Sequence, residues 1–211
     1  MLAAQTVVLD MIRPGVSWPD CHLAAEKEVL KALLALGVLR NGSLEEMVAA
    51  ELGAVFMPHG LGHLIGIDTH DVGGYLEGAP LRPTRAGLKK LRTARILEEN
   101  MVITVEPGCY FIDYLLDLAL ANPAQSRYID PARLSEFRGF GGVRLEDDVL
   151  VGAEGAINMT LCPRSVEEVE SVMAGGPWPP AEDKLPSQRR HWVKLSESCR
   201  SLEPVDVPLA K

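Results

Sequence analysis

The chain has 211 residues, with 21 Lys and Arg against 29 Asp and Glu and a formal net charge of −8. Its 47% hydrophobic and 24% charged residues are the balance of a folded globular protein, which excludes disorder over the whole length. An acidic chain lacks the cationic surface that nucleic acid or an anionic membrane demands, so neither partner is expected.

The length supports one well-buried core, or one core plus a tail. Cys21, Cys109, Cys162 and Cys199 are scattered without a C-x-x-C pair. That argues against a disulfide framework or zinc ribbon and for a reducing, cytoplasmic setting. The longest stretch free of Asp, Glu, Lys and Arg, Leu52 to Ile67, contains Pro58 and four glycines, so it does not read as a membrane span. No basic leader precedes the apolar start, and no signal peptide is expected.

Leu2, Val8, Leu9 and Ile12 predict a helix from Met1 to Ile12 with no capping residue ahead of it, which points to further sequence upstream. Ser17 and Pro19 open a second helix with Leu23, Val29, Leu30, Leu33 and Leu34 as its apolar stripe, ended by Gly37. Ser43 and Glu46 form a capping box for a short helix that Gly53 is expected to terminate. Val55-Phe56-Met57 reads as a strand entering a Gly- and His-rich turn. Met101 to Val105 is a strand stopped by Pro107-Gly108, and Cys109 to Ile112 resumes extended structure. Helix and loop are expected over 113–138, then one long strand from Val143 to Val151. A second capping box, Ser165 with Glu168, starts a helix ending at Gly175-Gly176. Residues 176–211 carry six prolines and read as a poorly ordered tail, with Arg189-Arg190-His191-Trp192 as a small interaction patch or merely a solvated stretch. The domain expected is therefore 1–175, and the tail 176–211.

Chemistry concentrates between Pro58 and Gly74, where His59, His63 and His70, three of the five histidines, fall within twelve residues. Imidazole is the commonest metal ligand and neutral-pH acid or base. His59 and His63 have the spacing of H-E-x-x-H, but Pro58, Gly60 and Gly62 disfavour the helix and the Glu is absent. The same histidines read equally as surface or core residues with backbone partners. Glu106 ends an apolar strand, where an unpaired buried charge is costly. Glu146 shares a strand face with Arg144, so it reads either as a solvent-facing partner of that arginine or as part of a site. One His and two Glu suit a hard divalent cation such as manganese, cobalt or iron. Arg92 carries the planar fork that holds a substrate carboxylate.

The string His59-Gly60-Leu61-Gly62-His63, with Gly66 and then His70-Asp71-Val72-Gly73-Gly74, resembles the pita-bread metallopeptidases, and within them the prolidase branch. Leu91 to Ala94, Thr104 to Phe111 and Phe137 to Val149 carry the rest of a resemblance that covers Met1 to about Ala174. It implies an α+β pita-bread fold, incomplete on its N-terminal side, that hydrolyses Xaa-Pro dipeptides. It implies two manganese ions, with His63, Glu106 and Glu146 as metal ligands. Glu106 would also move a proton to the leaving amine. His70 would polarise the scissile carbonyl, Arg92 would bind the terminal carboxylate, and His59 and Arg144 would line the pocket. Members are commonly homodimers. The family pattern departs here in one respect: two further aspartate ligands, ten residues apart, are not matched. Asp10 and Asp20 have that spacing but fall in the helical segments, so the second ion lacks its ligands and impaired turnover is expected. The alternatives are a non-catalytic binding or dimerisation module, and an aminopeptidase acting on longer Xaa-Pro peptides.

Overall fold

The structure, a computed structural model, describes residues 1–180 and 182–191. Helix α1 spans Leu2–Met11 and α2 spans Trp18–Ala35. Pro19 sits in the first turn of α2, where its missing N–H removes no helical bond. Just past the end of α2, Gly37 takes φ 74°, which a side chain would resist. Ala4, Val8, Leu9 and Ile12 of the first segment join Trp18, Ala25, Val29 and Leu33 of α2 in one continuous core. Burying each large aliphatic side chain there stabilises the fold by about 1.5–3 kcal/mol.

Helix α3, Leu44–Ala49, starts at the Ser43–Glu46 capping box. Glu51, at φ 57°, then turns the chain into α4, Gly53–Phe56. Two expectations are corrected here. Gly53 opens α4 instead of closing α3, and Val55-Phe56-Met57 is helical through Phe56 instead of extended. All three of those side chains are buried. A three-residue apolar run does not distinguish helix from strand, and packing decided the matter.

Strands β1 (Val102–Val105), β2 (Gly108–Tyr110), β3 (Gly142–Arg144), β4 (Asp147–Val151) and β5 (Ala156–Asn158) form two antiparallel sheets, β1-β4-β5 and β2-β3. Helices α5 (Asp113–Ala121), α6 (Pro123–Ser126) and α7 (Pro131–Ser135) fill the excursion between β2 and β3. The single long strand expected over 143–151 is thus two strands in two sheets. Yet both ladders share one register: Val105 faces Asp147 and Gly108 faces Arg144. The break falls at Pro107, which has no N–H to donate, although Leu145 N–H still reaches its carbonyl at 3.2 Å. The shared register sets Glu106 directly across from Glu146.

Helix α8, Val166–Met173, follows the Ser165–Glu168 capping box, with Gly175 at φ 87° beyond it. Residues 182–191, expected to belong to a loose tail, are fastened to the domain. Gln188 is buried and donates to Thr6 Oγ1 at 2.8 Å. Arg189 pairs with Asp10 at 2.9 Å, and Arg190 pairs with Glu168 and Asp183. The two arginines of the expected interaction patch are therefore engaged within the chain, while Trp192 and the remainder of the tail lie outside the described residues.

One polar cluster is sealed in the core. Glu26 on α2 is fully buried and takes a two-pronged bond from Arg85, at 2.9 and 2.7 Å. His22, one turn earlier, is also fully buried, with its Nε2 3.8 Å from Glu26. Burial, then the charges of Arg85 and His59, push the His22 pKa down to about 3. The neutral ring is thus the native form, and the unfolded chain takes up a proton that the folded chain refuses between pH 6.5 and about 3. Stability should fall as pH drops through that window, by up to about 1.4 kcal/mol per pH unit from this group. Urea unfolding at pH 7 and pH 5 should show a shallower acid loss for His22→Gln than for the parent. Equal losses would rule His22 out as the cause.

Candidate active site

The histidine segment is held against β1 by backbone pairing. Thr104 N–H donates to His63 O at 2.9 Å, Glu106 N–H to Leu61 O at 2.8 Å, and Ile65 N–H to Val102 O at 3.2 Å. Gly62 makes the approach feasible: a Cβ there would lie 1.8 Å from Thr104 O. Trp18 anchors the same point from α2 through Nε1 to Gly62 O at 3.4 Å. The segment therefore runs beside β1 with His63 next to the acidic pair on β1 and β4.

His63, Glu106 and Glu146 each offer a donor atom within 4.8 Å of the others. His63 Nε2 lies 3.2 Å from Glu106 Oε1. Its Nδ1 faces Leu64 O at 3.0 Å, the backbone hydrogen bond that orients a metal-binding imidazole and leaves Nε2 free to coordinate. Thr104 donates to Glu106 Oε1 at 2.9 Å, and Arg144 Nη1 to Oε2 at 3.0 Å. Arg144 Nε also donates to Tyr110 OH at 2.6 Å. Burial pushes the Glu106 pKa up and Glu146 adds to this, against the lowering by Thr104, His63 and Arg144. Two carboxylates facing each other across a ladder repel. One imidazole and two carboxylates are the donor set of a divalent cation, which would offset that repulsion. Among the described residues this is the one such cluster. Asp10 on α1 pairs with Arg189 at 2.9 Å, and Asp20 lies in the first turn of α2 behind the N-cap Ser17, so neither belongs to the cluster.

A cleft of about 320 Å³ opens beside His63 and Glu106, lined also by His59, His70, Arg92 and Arg144 together with Lys90, while Glu146 lies outside its lining. The His70 ring meets His63 edge-on, with centroids 4.4 Å apart, and His59 meets Tyr110 likewise at 5.4 Å. Desolvation lowers the His70 pKa, with Arg92 and His63 adding to it and Glu146 opposing, which favours the neutral ring. Burial lowers the His59 pKa too. Thr104, Tyr110 and Lys90 were not singled out from the sequence. Thr104 was legible by alternation, two residues before Glu106 on the same face. Tyr110 needed the register, and Lys90 carries no signal beyond its charge.

Residues 1–153 match metallopeptidase family M24. The chain belongs to that family, and its mixed helix-and-sheet architecture is the pita-bread fold. Human Xaa-Pro dipeptidase is 54% identical over 175 residues, 83% of this chain and 35% of the human protein. The rat Xaa-Pro dipeptidase is 53% identical over the same span. Among solved structures, Pseudomonas aeruginosa aminopeptidase PepP superposes with a TM-score of 0.60 at 32% identity, covering 82% of this chain and 33% of that one. Escherichia coli aminopeptidase P bound to the inhibitor Pro-Leu gives 0.59 at 30%, with 82% and 33% covered. The chain spans about a third of the length of the relatives it matches. No helix among the described residues is long and apolar enough to cross a membrane.

Proposed function

We propose that His63, Glu106 and Glu146 hold a divalent cation, manganese, and that the cleft beside them is built to hydrolyse dipeptides ending in proline. The convergence of the three donor atoms within 4.8 Å carries the reading. The identity to Xaa-Pro dipeptidases supports it. A divalent cation there supplies a Lewis acid that makes water nucleophilic at neutral pH. The chain's own residues do the rest. Arg92 takes the substrate's terminal carboxylate in its two-pronged fork, and neutral His70 donates to the scissile carbonyl. Glu106, with its raised pKa, receives a proton from the attacking water and passes it to the proline nitrogen as the C–N bond breaks. His59 and Arg144 wall the pocket. A cytoplasmic location and self-association belong to the same proposal.

Three donors make one cation site, where the family pattern has five ligands for two ions. Turnover by these 211 residues is therefore expected to be low. Calorimetric titration with manganese should give one ion per chain, and His63→Ala or Glu146→Gln should weaken it more than about 100-fold. Binding indifferent to both substitutions would remove the site. Rapid release of proline from Gly-Pro would overturn the expected impairment while leaving the site intact. The superposition on two aminopeptidase P structures favours one further comparison, Gly-Pro against a tripeptide with proline second. Preference for the tripeptide would make this an aminopeptidase.

A further inference from the structure

His70 and Arg92 lie on two irregular segments that no sheet holds together, yet both line the cleft. A separate set of contacts ties the two segments. The carbonyl of Leu91, the residue before Arg92, accepts from Tyr75 OH at 3.1 Å and from Arg82 Nη1 at 2.5 Å. Arg82 Nη1 also reaches Lys89 O at 3.2 Å, and its guanidinium lies 4.0 Å from the centre of the Tyr75 ring. One residue before Tyr75, Gly74 presses on the backbone of Arg92, where a Cβ would come within 2.0 Å of Arg92 O. Thr93 Oγ1 closes the seam by donating to Gly74 O at 3.3 Å. Gly74 follows His70 by four residues, so the seam joins the carbonyl-facing histidine to the carboxylate-facing arginine by the shortest route along the chain.

We infer that Tyr75 and Arg82 are positioning residues that clamp Leu91 and so set the separation between His70 and Arg92, which fixes the length of carboxylate-ended substrate the cleft accepts. A single buried carbonyl taking a phenol and a guanidinium, the two also stacked on each other, is far more anchoring than an ordinary loop receives. Neither side chain lines the cleft. Their influence on substrate passes through the backbone of Leu91 to Arg92. A fork displaced by about 1 Å loses its paired geometry, and with it the preference for a carboxylate over an uncharged end.

This inference rests on the proposed reading of Arg92, and the test separates the two. Equilibrium binding of Gly-Pro and of Gly-Pro amide to the full chain is measured by NMR titration, with melting temperature recorded for every variant. The parent should favour the carboxylate by about tenfold or more. Arg92→Gln should abolish that preference. Tyr75→Phe, which keeps the ring, and Arg82→Gln should each reduce it to about threefold or less, whereas Arg82→Lys should restore part of it. A merely structural role would lower the melting temperature and leave the ratio untouched. If the parent itself shows no preference, the role given to Arg92 fails and the clamp fails with it. If Arg92→Gln behaves as stated while Tyr75→Phe and Arg82→Gln both keep the full ratio, the clamp alone is overturned. Should Arg82→Gln not fold, Tyr75→Phe decides.

Discussion

Arg85→Ala should lower the unfolding free energy by about 3–5 kcal/mol, a large part of the stability of a domain this size. The reason is geometric. Glu26 has no exposure to water, and Arg85 supplies both hydrogen bonds to its carboxylate. Removing the guanidinium leaves a buried anion facing the Cα of Gly53, which lies so close that a Cβ there would fall 2.0 Å from Glu26 Cγ. Arg85 Nη2 also donates to Val48 O at 2.8 Å, so the loss extends to the end of α3. Urea unfolding at pH 7 reads the effect as a shift in midpoint. The companion measurement replaces both partners with Met. A buried pair exchanged for apolar side chains of similar size is often close to neutral, so most of the loss should return. A single variant as stable as the parent would mean that the pair contributes nothing.

Gly62→Ala should do comparable damage and reach the site as well. The added methyl would meet Thr104 O and its carbonyl carbon at 1.8 and 2.7 Å, and both are backbone atoms of β1, which cannot swing aside as the end of a side chain could. The histidine segment must then lift from β1, at an expected cost of about 3 kcal/mol or more. It would carry His63 away from Glu106, so manganese affinity should fall at least about tenfold even where the protein remains folded. Thermal unfolding and a manganese titration on the same sample check both parts. An unchanged melting temperature would show that the backbones are not packed as tightly as described.

These two sites also show what the sequence could and could not disclose. The capping boxes at Ser43 and Ser165 and the glycines closing α2 and α8 are local chemistry, legible in four or five residues. Buried Glu26 was not legible: nothing in the pattern of α2 distinguishes it from Glu28, which is partly exposed and pairs with Lys31. Its partner is 59 residues away and is chosen by tertiary packing. The strand error at Val55 has a similar origin, since a short apolar run has no period long enough to reveal its own geometry. The break in the expected strand 143–151 was written in the opposite strand, at Pro107, and became readable once the pairing was known. The proximity of His63 to two carboxylates 43 and 83 positions further on followed from no spacing. It entered through the family resemblance, and the structure brings the three side chains together.

The unbroken register across Pro107 constrains how this protein can change length. Gly139 and Gly141 lie at an open turn, both at positive φ with free space around them, ahead of β3. An extra residue inserted there would be absorbed before the ladder begins. The same insertion between Arg144 and Asp147 would rotate Glu146 to the opposite side of the ribbon, because side chains alternate with every position. Natural variants and engineered libraries should therefore tolerate indels freely on one side of Gly142 and hardly at all on the other, a boundary only a few residues wide.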